Sequence, residues 1–82
     1  MKTIVFTHRA ARELDALPDP DRITVFEALS LYAMTGRGDV KPLQGQDGYR
    51  MRVGAYRVLF AQDSLTILAV YVGRRSTTTY RR

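Results

Sequence analysis

Apolar residues alternate with polar ones along residues 48–61, which read Gly-Tyr-Arg-Met-Arg-Val-Gly-Ala-Tyr-Arg-Val-Leu-Phe-Ala. This period of two is typical of strands that are buried on one face only. Gly54 and Ala55 interrupt the alternation, and a two-residue link that begins with glycine indicates a tight turn between antiparallel strands. The pattern therefore predicts a β-hairpin in which Arg52 faces Arg57 across the two strands.

The two faces of the predicted hairpin differ sharply in chemistry, because side chains alternate along a strand. One face carries apolar and aromatic residues: Tyr49, Met51, Val53, Tyr56, Val58 and Phe60. The other face carries Arg50, Arg52 and Arg57, with Leu59 and Ala61. Like charges that face each other on a sheet destabilise it by up to about 1 kcal/mol. We interpret this face as a site for nucleic-acid phosphates; the competing interpretation is a solvated basic face whose aliphatic stems cover the sheet.

The chain before the hairpin predicts one strand and two helices. Residues 2–6 form a strand-like run, and residues 8–17 repeat apolar positions at helical spacing. The sequence Pro18-Asp19-Pro20 ends this helix and begins a second one over residues 20–35, with Asp19 as its N-cap. The apolar stripe predicted for the second helix consists of Ile23, Phe26, Ala28, Leu29 and Ala33.

The remaining segments complete a single domain over residues 1–82. Residues 36–48 contain four glycines and Pro42, which predicts a loop. Residues 65–72 form a nearly continuous apolar run, which is typical of a central strand covered on both faces. The order β-α-α-β-β-β predicts an α+β domain, with a helical hairpin packed on a mainly antiparallel four-stranded sheet.

Charge and composition narrow the classes of function. The net charge is +5, yet residues 1–48 carry six Lys and Arg against seven Asp and Glu, while residues 49–82 carry seven arginines against one aspartate. Arginine is preferred where planar, bidentate contact with phosphate matters. The chain has no cysteine and one histidine, His8, so we expect neither a metal site nor a disulfide.

The same composition gives no sign of a membrane or of a small-molecule cofactor. No apolar run approaches the about 20 residues that cross a bilayer as a helix, and the N-terminal run is too short for the apolar region of a signal peptide. We therefore expect a cytoplasmic protein with no membrane association and no cofactor.

Three segments of the chain form a combined motif: Lys41–Gly45, the hairpin Gly48–Phe60, and Val72–Arg75 followed by Tyr80. Together they resemble the RelE toxins of the RelE/ParE superfamily of toxin–antitoxin modules. The resemblance covers essentially the whole chain and implies a metal-independent, ribosome-dependent mRNA endonuclease that inhibits translation. In such enzymes the ribose 2′-hydroxyl attacks its neighbouring phosphate in the ribosomal A site. The implied partners are a cognate antitoxin protein, the ribosome and mRNA.

The resemblance also implies the residues of the site, carried over position by position. The family uses a basic pair on one strand of the hairpin, an arginine on the next strand, an arginine after the last strand and a C-terminal tyrosine. The predicted catalytic residues are Arg52, Arg57, Arg75 and Tyr80, and the predicted RNA-binding residues are Arg50, Lys41 and Arg74.

The basic pair departs from the family, in which these positions are often lysine. An arginine side chain stays protonated and is a poor general base. We therefore assign Arg50 and Arg52 to phosphate binding and transition-state charge, and the general base is not identified. Tyr80 is predicted to stack on a base or to orient the 2′-hydroxyl, whereas Tyr71 is expected in the core.

Two other functions fit much of the same sequence. A ParE-like toxin would share the fold and the hairpin, but it would bind DNA gyrase and have no nuclease activity. A basic RNA-binding module would use the arginine face without catalysis. Arg75 together with Tyr80 favours the RelE type.

Overall fold

The computed structural model of this chain describes residues 1–75. Its elements in chain order are β1 (Thr3–Phe6), α1 (His8–Asp15), α2 (Asp19–Thr35), β2 (Val40–Pro42), β3 (Tyr49–Val53), β4 (Tyr56–Gln62) and β5 (Thr66–Arg74). The strands form one sheet in the order β1-β5-β4-β3-β2, in which only β1 and β5 run parallel. The predicted α+β class, with helices on a mainly antiparallel sheet, is confirmed.

The sheet has one strand more than the sequence predicted. Residues 36–48 were expected to form a loop, but Val40–Pro42 pairs with β3 as an edge strand, with Lys41 opposite Arg50 and Pro42 opposite Tyr49. Three residues are too few to show a period of two. Proline is tolerated here because an edge strand needs no further N–H donor on its open side.

Local signals at the helix ends agree with the sequence to within a few residues. Thr7 caps α1, since its Oγ1 accepts a hydrogen bond from the Ala10 N–H at 3.1 Å. Helix α2 begins at Asp19, which was expected as the N-cap, and ends at Gly36, whose φ of 78° lies in the left-handed region. Within residues 1–75, neither helix is long and apolar enough to cross a membrane.

The core lies between the helices and one face of the sheet. Phe60 is at its centre and contacts the rings of Tyr32 and Tyr49, with centroids 5.7 and 5.6 Å away. The predicted inward face of the hairpin is confirmed, because its aliphatic residues and Phe60 are buried and its tyrosines pack against them. The buried apolar residues are Ala10, Leu14, Val25, Leu29, Ala33, Met51, Val53, Val58, Phe60, Ile67, Ala69 and Val72.

The apolar stripe predicted for α2 is wrong at two positions. Ile23 and Phe26 are 51% and 47% exposed, and the buried positions are Val25, Leu29 and Ala33, spaced four residues apart. Apolar side chains occur on several sides of this helix, so helical spacing alone does not determine which side is buried.

Strand β5 is central, but helices cover only one of its faces. Leu59 pairs with Tyr71 and the next residue, Phe60, pairs with Ala69, so that Val70 is an extra residue in β5. Such a β-bulge shifts the alternation of side chains. Val70 is therefore 38% exposed, and Tyr71 lies on the face away from the helices. Within residues 1–75, the expectation that both faces of β5 are covered, with Tyr71 in the core, is therefore wrong.

Candidate nucleic-acid interface

The sheet face opposite the helices gathers the basic residues of the hairpin. Arg52 pairs with Arg57, and Arg50 lies between Leu59 and Lys41 in the adjacent row. Met51 and Val53 alternate with these arginines and are buried against the helices. We call this surface the arginine face, and it comprises Lys41, Arg50, Arg52, Arg57, Leu59, Tyr71 and Gly73.

The guanidinium groups of the arginine face are not neutralised by carboxylates of the described chain. Within residues 1–75 the salt bridges join Arg9 to Glu13 and Arg22 to Asp19, and none involves the arginine face. Arg50 Nη1 and Arg57 Nε are shielded from solvent and have no hydrogen-bond acceptor in that part of the chain. A shielded donor without an acceptor is costly. An anion with several oxygens would supply the acceptors.

Arg75 is held at the end of the arginine face by the hairpin turn. Its Nε donates to the Gly54 carbonyl at 2.8 Å, and its main-chain N–H donates to the Ala55 carbonyl at 2.9 Å. Gly54 has a φ of 58°, so the turn uses the left-handed conformation that glycine adopts without strain. The hairpin turn therefore brings Arg75 close to the row of Arg52 and Arg57.

Arg74, which was predicted to bind RNA together with Arg50 and Lys41, does not join this face. Successive residues of a strand point to opposite sides, and the Arg74 guanidinium lies 5.5 Å from the ring centroid of Tyr56, on the helix side. Tyr56 donates its hydroxyl hydrogen to Asp21 Oδ2 at 2.8 Å, and this bond raises the pKa of Tyr56. Tyr80, also predicted for the site, lies outside the described residues.

The arginine face also carries a tyrosine that was not predicted there. The Tyr71 side chain leans along β5 over Gly73, so that a Cβ added to Gly73 would overlap the Tyr71 hydroxyl and lie 2.9 Å from Cε2. Gly73 pairs directly with Arg57. The Tyr71 hydroxyl thus occupies the place of the side chain that would stand opposite Arg57. The sequence signal for this placement is a tyrosine two residues before a glycine, Tyr71-Val72-Gly73. It could not be used from the sequence alone, because the bulge determines the face on which Tyr71 lies.

Helix α1 contacts this tyrosine at the edge of the sheet. The Arg9 guanidinium lies 5.2 Å from the ring centroid of Tyr71, in cation–π geometry. Arg9 also pairs with Glu13 Oε2 at 2.9 Å, and Glu13 Oε1 accepts the main-chain N–H of Val72 at 3.0 Å. Residues of α1 and β5 therefore meet beside the Tyr71 ring.

The chemistry available on the arginine face is anion binding. Guanidinium groups donate hydrogen bonds in a fixed planar fork and match the oxygens of a phosphate. They stabilise negative charge that develops in a transition state, but they do not accept a proton. The described part of the face is therefore suited to binding phosphate groups and to stabilising negative charge on them.

Comparison with solved structures identifies chains of the same fold. The chain is similar to the RelBE2 toxin–antitoxin complex of Mycobacterium tuberculosis, with 29% identity and a TM-score of 0.78 over 90% of this chain and 98% of that chain. It is similar to the RelE–RelB complex of Pyrococcus horikoshii, with 21% identity and a TM-score of 0.77 over 93% and 97% of the chains. It is also similar to the RelBE complex of E. coli, with 20% identity and a TM-score of 0.76 over 90% of this chain and 96% of that chain.

No protein-family model matches the chain, and no curated protein sequence matches it. The structural neighbours confirm the resemblance to RelE-type toxins that the sequence indicated, because the described fold superposes on theirs over nearly the full length of both chains.

Proposed function

We propose that this chain is the toxin of a type II toxin–antitoxin module and inhibits translation as a ribosome-dependent mRNA endonuclease. The toxin role is supported by the similar solved chains, which belong to RelE–RelB toxin–antitoxin complexes. The nuclease activity is supported by one observation above all. Arg52 faces Arg57 on an exposed sheet face, and neither has a carboxylate partner within residues 1–75.

The proposed reaction is an internal transfer of the phosphoryl group. The ribose 2′-hydroxyl loses its proton as its oxygen forms a bond to the adjacent phosphorus. The bond to the 5′-oxygen breaks and that oxygen takes up a proton, so the products end in a 2′,3′-cyclic phosphate and a 5′-hydroxyl. Arg52 and Arg57 hold the non-bridging oxygens and stabilise the charge that grows on them. Arg75 faces the leaving 5′-oxygen, while Arg50 and Lys41 bind flanking phosphates.

The ribosome is part of this proposal for a physical reason. Arginines supply charge and position but do not remove the 2′-hydroxyl proton. A substrate held with its 2′-oxygen in line with the scissile bond gains much of the rate from orientation alone. The ribosomal A site would provide that orientation. Tyr80 stays a prediction as the group that stacks on a base of the codon.

The antitoxin is the second proposed partner. Leu14, Ile23 and Phe26 line a groove of about 560 Å³ between α1 and α2, and the latter two side chains are about half exposed. An exposed apolar surface beside polar residues is typical of a protein–protein contact. An apolar segment of the antitoxin would cover this groove, and acidic segments would neutralise the arginine face.

In vitro translation with primer extension tests the nuclease proposal. We expect wild-type protein to cut mRNA within the A-site codon, and Arg57→Ala to lower the cleavage rate by about 10²- to 10³-fold, the usual cost of losing one transition-state contact. Arg37→Ala is the matched control, because it removes an exposed arginine from the α2–β2 link, outside the sheet. Its rate should equal the wild-type rate.

The alternatives predict different results in the same experiment. Failure of folded wild-type protein to cut mRNA would contradict the nuclease proposal. Double-strand DNA breaks that require gyrase would then indicate a ParE-like toxin. RNA binding without cleavage of either nucleic acid would indicate a binding module.

A further inference from the structure

We propose that the Tyr71 hydroxyl contacts the scissile phosphate as a further hydrogen-bond donor of the arginine face. This inference rests on the proposed endonuclease function and adds a substrate-contacting residue to it. It follows from three features of β5: the bulge at Val70, the glycine at position 73 and the contact with α1.

The bulge sets the side of the sheet to which Tyr71 belongs. Ala69 and Val72 are both buried on the helix side, although three positions separate them and regular alternation would place them on opposite faces. The extra residue at Val70 makes this possible and leaves Val70 and Tyr71 on the outer side. Tyr71 then shares a row with Leu59 and Arg50, within the arginine face.

Gly73 sets the position of the phenol group. The ring lies over Gly73, in space that any Cβ at that position would fill. Because Gly73 pairs with Arg57, and Arg57 pairs with Arg52, the hydroxyl stands at the end of the row that contains the two arginines. A phosphate held by Arg52 and Arg57 would therefore have the Tyr71 hydroxyl beside it.

Helix α1 contacts the ring through Arg9. Arg9 lies against the ring and is itself held by Glu13, which accepts from the Val72 N–H. The described chain gives the Tyr71 hydroxyl no hydrogen-bond partner among residues 1–75. A phenol that is positioned by the bulge, Gly73 and Arg9, and whose O–H group has no acceptor within residues 1–75, is suited to donate to a phosphoryl oxygen.

The substitution Tyr71→Phe tests the contact, because it removes only the hydroxyl. We expect single-turnover cleavage on programmed ribosomes to slow by about 10²-fold, the lower end of the range for losing one donor to developing charge. Affinity for the ribosome should change by less than about 3-fold. Tyr49→Phe is the matched control: it removes a hydroxyl from the helix side of the sheet and should cut at the wild-type rate.

Sulfur substitution on the substrate separates a contact from a structural effect. Sulfur accepts hydrogen bonds weakly, so replacing the non-bridging oxygen that Tyr71 contacts should slow wild-type cleavage. The same replacement should slow Tyr71→Phe much less, because the contact is already absent. A thio effect of equal size in both proteins, or equal cleavage rates of wild type and Tyr71→Phe, would overturn the inference.

A second variant addresses placement of the ring. Gly73→Ala adds a Cβ that the Tyr71 ring must vacate, and it should slow cleavage as much as Tyr71→Phe does. Wild-type rates in a folded Gly73→Ala protein would contradict the inference. The proposed function fails separately, when wild-type protein does not cut or Arg57→Ala cuts at the wild-type rate.

Discussion

Glu13 accepts a hydrogen bond from the main-chain N–H of Val72 at 3.0 Å, although 59 residues separate them in the chain. Strand β1 pairs with β5 only as far as Phe6 and Ala69, so in the described part of the chain no strand pairs with this edge of β5 beyond that point. An open strand edge exposes N–H groups that other chains can pair with. The carboxylate of α1 replaces the missing strand at this position.

Replacing Glu13 should destabilise the protein, because it removes this hydrogen bond at the edge of β5. We expect Glu13→Ala to lower the free energy of unfolding by about 1–3 kcal/mol, because a partly buried N–H loses its acceptor. Urea denaturation monitored by circular dichroism measures this. Asp15→Ala, an exposed position in the same helix, is the control and should change the value by less than about 0.5 kcal/mol. Equal losses in the two variants would show that the edge contact contributes nothing.

The hairpin turn should require glycine at position 54. Its φ is 58°, and a Cβ there would meet nothing within 4 Å, so any cost of a side chain comes from the backbone conformation. We expect Gly54→Ala to lower the free energy of unfolding by about 1–2 kcal/mol. Gly54→Asn should cost less, since asparagine tolerates the left-handed region. Thermal or urea unfolding of the two variants measures these losses. Equal losses in the free energy of unfolding for Gly54→Asn and Gly54→Ala would contradict the prediction.

The turn between β4 and β5 should make stability depend on pH in the acid range. Asp63 Oδ1 accepts from the N–H groups of Leu65 and Thr66 at 2.8 and 2.9 Å, and these bonds lower the pKa of Asp63 in the folded state. Because the pKa of Asp63 is lower in the folded state, its carboxylate stabilises the fold at pH values above the unfolded-state pKa of about 3.9. This stabilisation is lost as the pH falls through the folded-state pKa.

The pH prediction can be checked with a variant that keeps an acceptor but does not titrate. We expect wild-type protein to be more stable than Asp63→Asn at about pH 6 and this advantage to shrink towards about pH 3. Urea unfolding at both pH values measures the difference in unfolding free energy. A difference that stays constant with pH would mean that the Asp63 carboxylate does not contribute.

The hairpin and the arginine face were predictable because local pattern determines them. Alternation around Gly54-Ala55 leaves one register in which the aromatic residues and Met51, Val53 and Val58 share a face, and that register places Arg52 opposite Arg57. Arg50 and Lys41 share this face as well, although the strand that carries Lys41 was not predicted. Here sequence pattern and tertiary burial agree.

Strand β5 was less predictable, because a bulge depends on pairing with two neighbours and not on the order of its own residues. The run from Leu65 to Val72 is apolar throughout, so it does not indicate which residue is extra. One residue decides whether Tyr71 is in the core or on the arginine face. The face on which Arg74 lies also depends on how side chains alternate after the bulge. The Arg74 side chain lies beside Tyr56, away from the arginine face.

In helix α2, helical spacing did not determine which apolar side chains are buried, and two variants test the burial that the structure shows. Leu29 is 0% exposed and Phe26 is 47% exposed, although the sequence placed both in the core. We expect Leu29→Ala to lower the free energy of unfolding by about 2–5 kcal/mol, the cost of a cavity in a packed core. Phe26→Ala removes a larger side chain but should cost less than about 1 kcal/mol, because water already reaches this site. Urea denaturation of the two variants compares them directly. A loss for Phe26→Ala as large as that for Leu29→Ala would restore the stripe that the sequence predicted, and it would remove the exposed apolar groove proposed for the antitoxin.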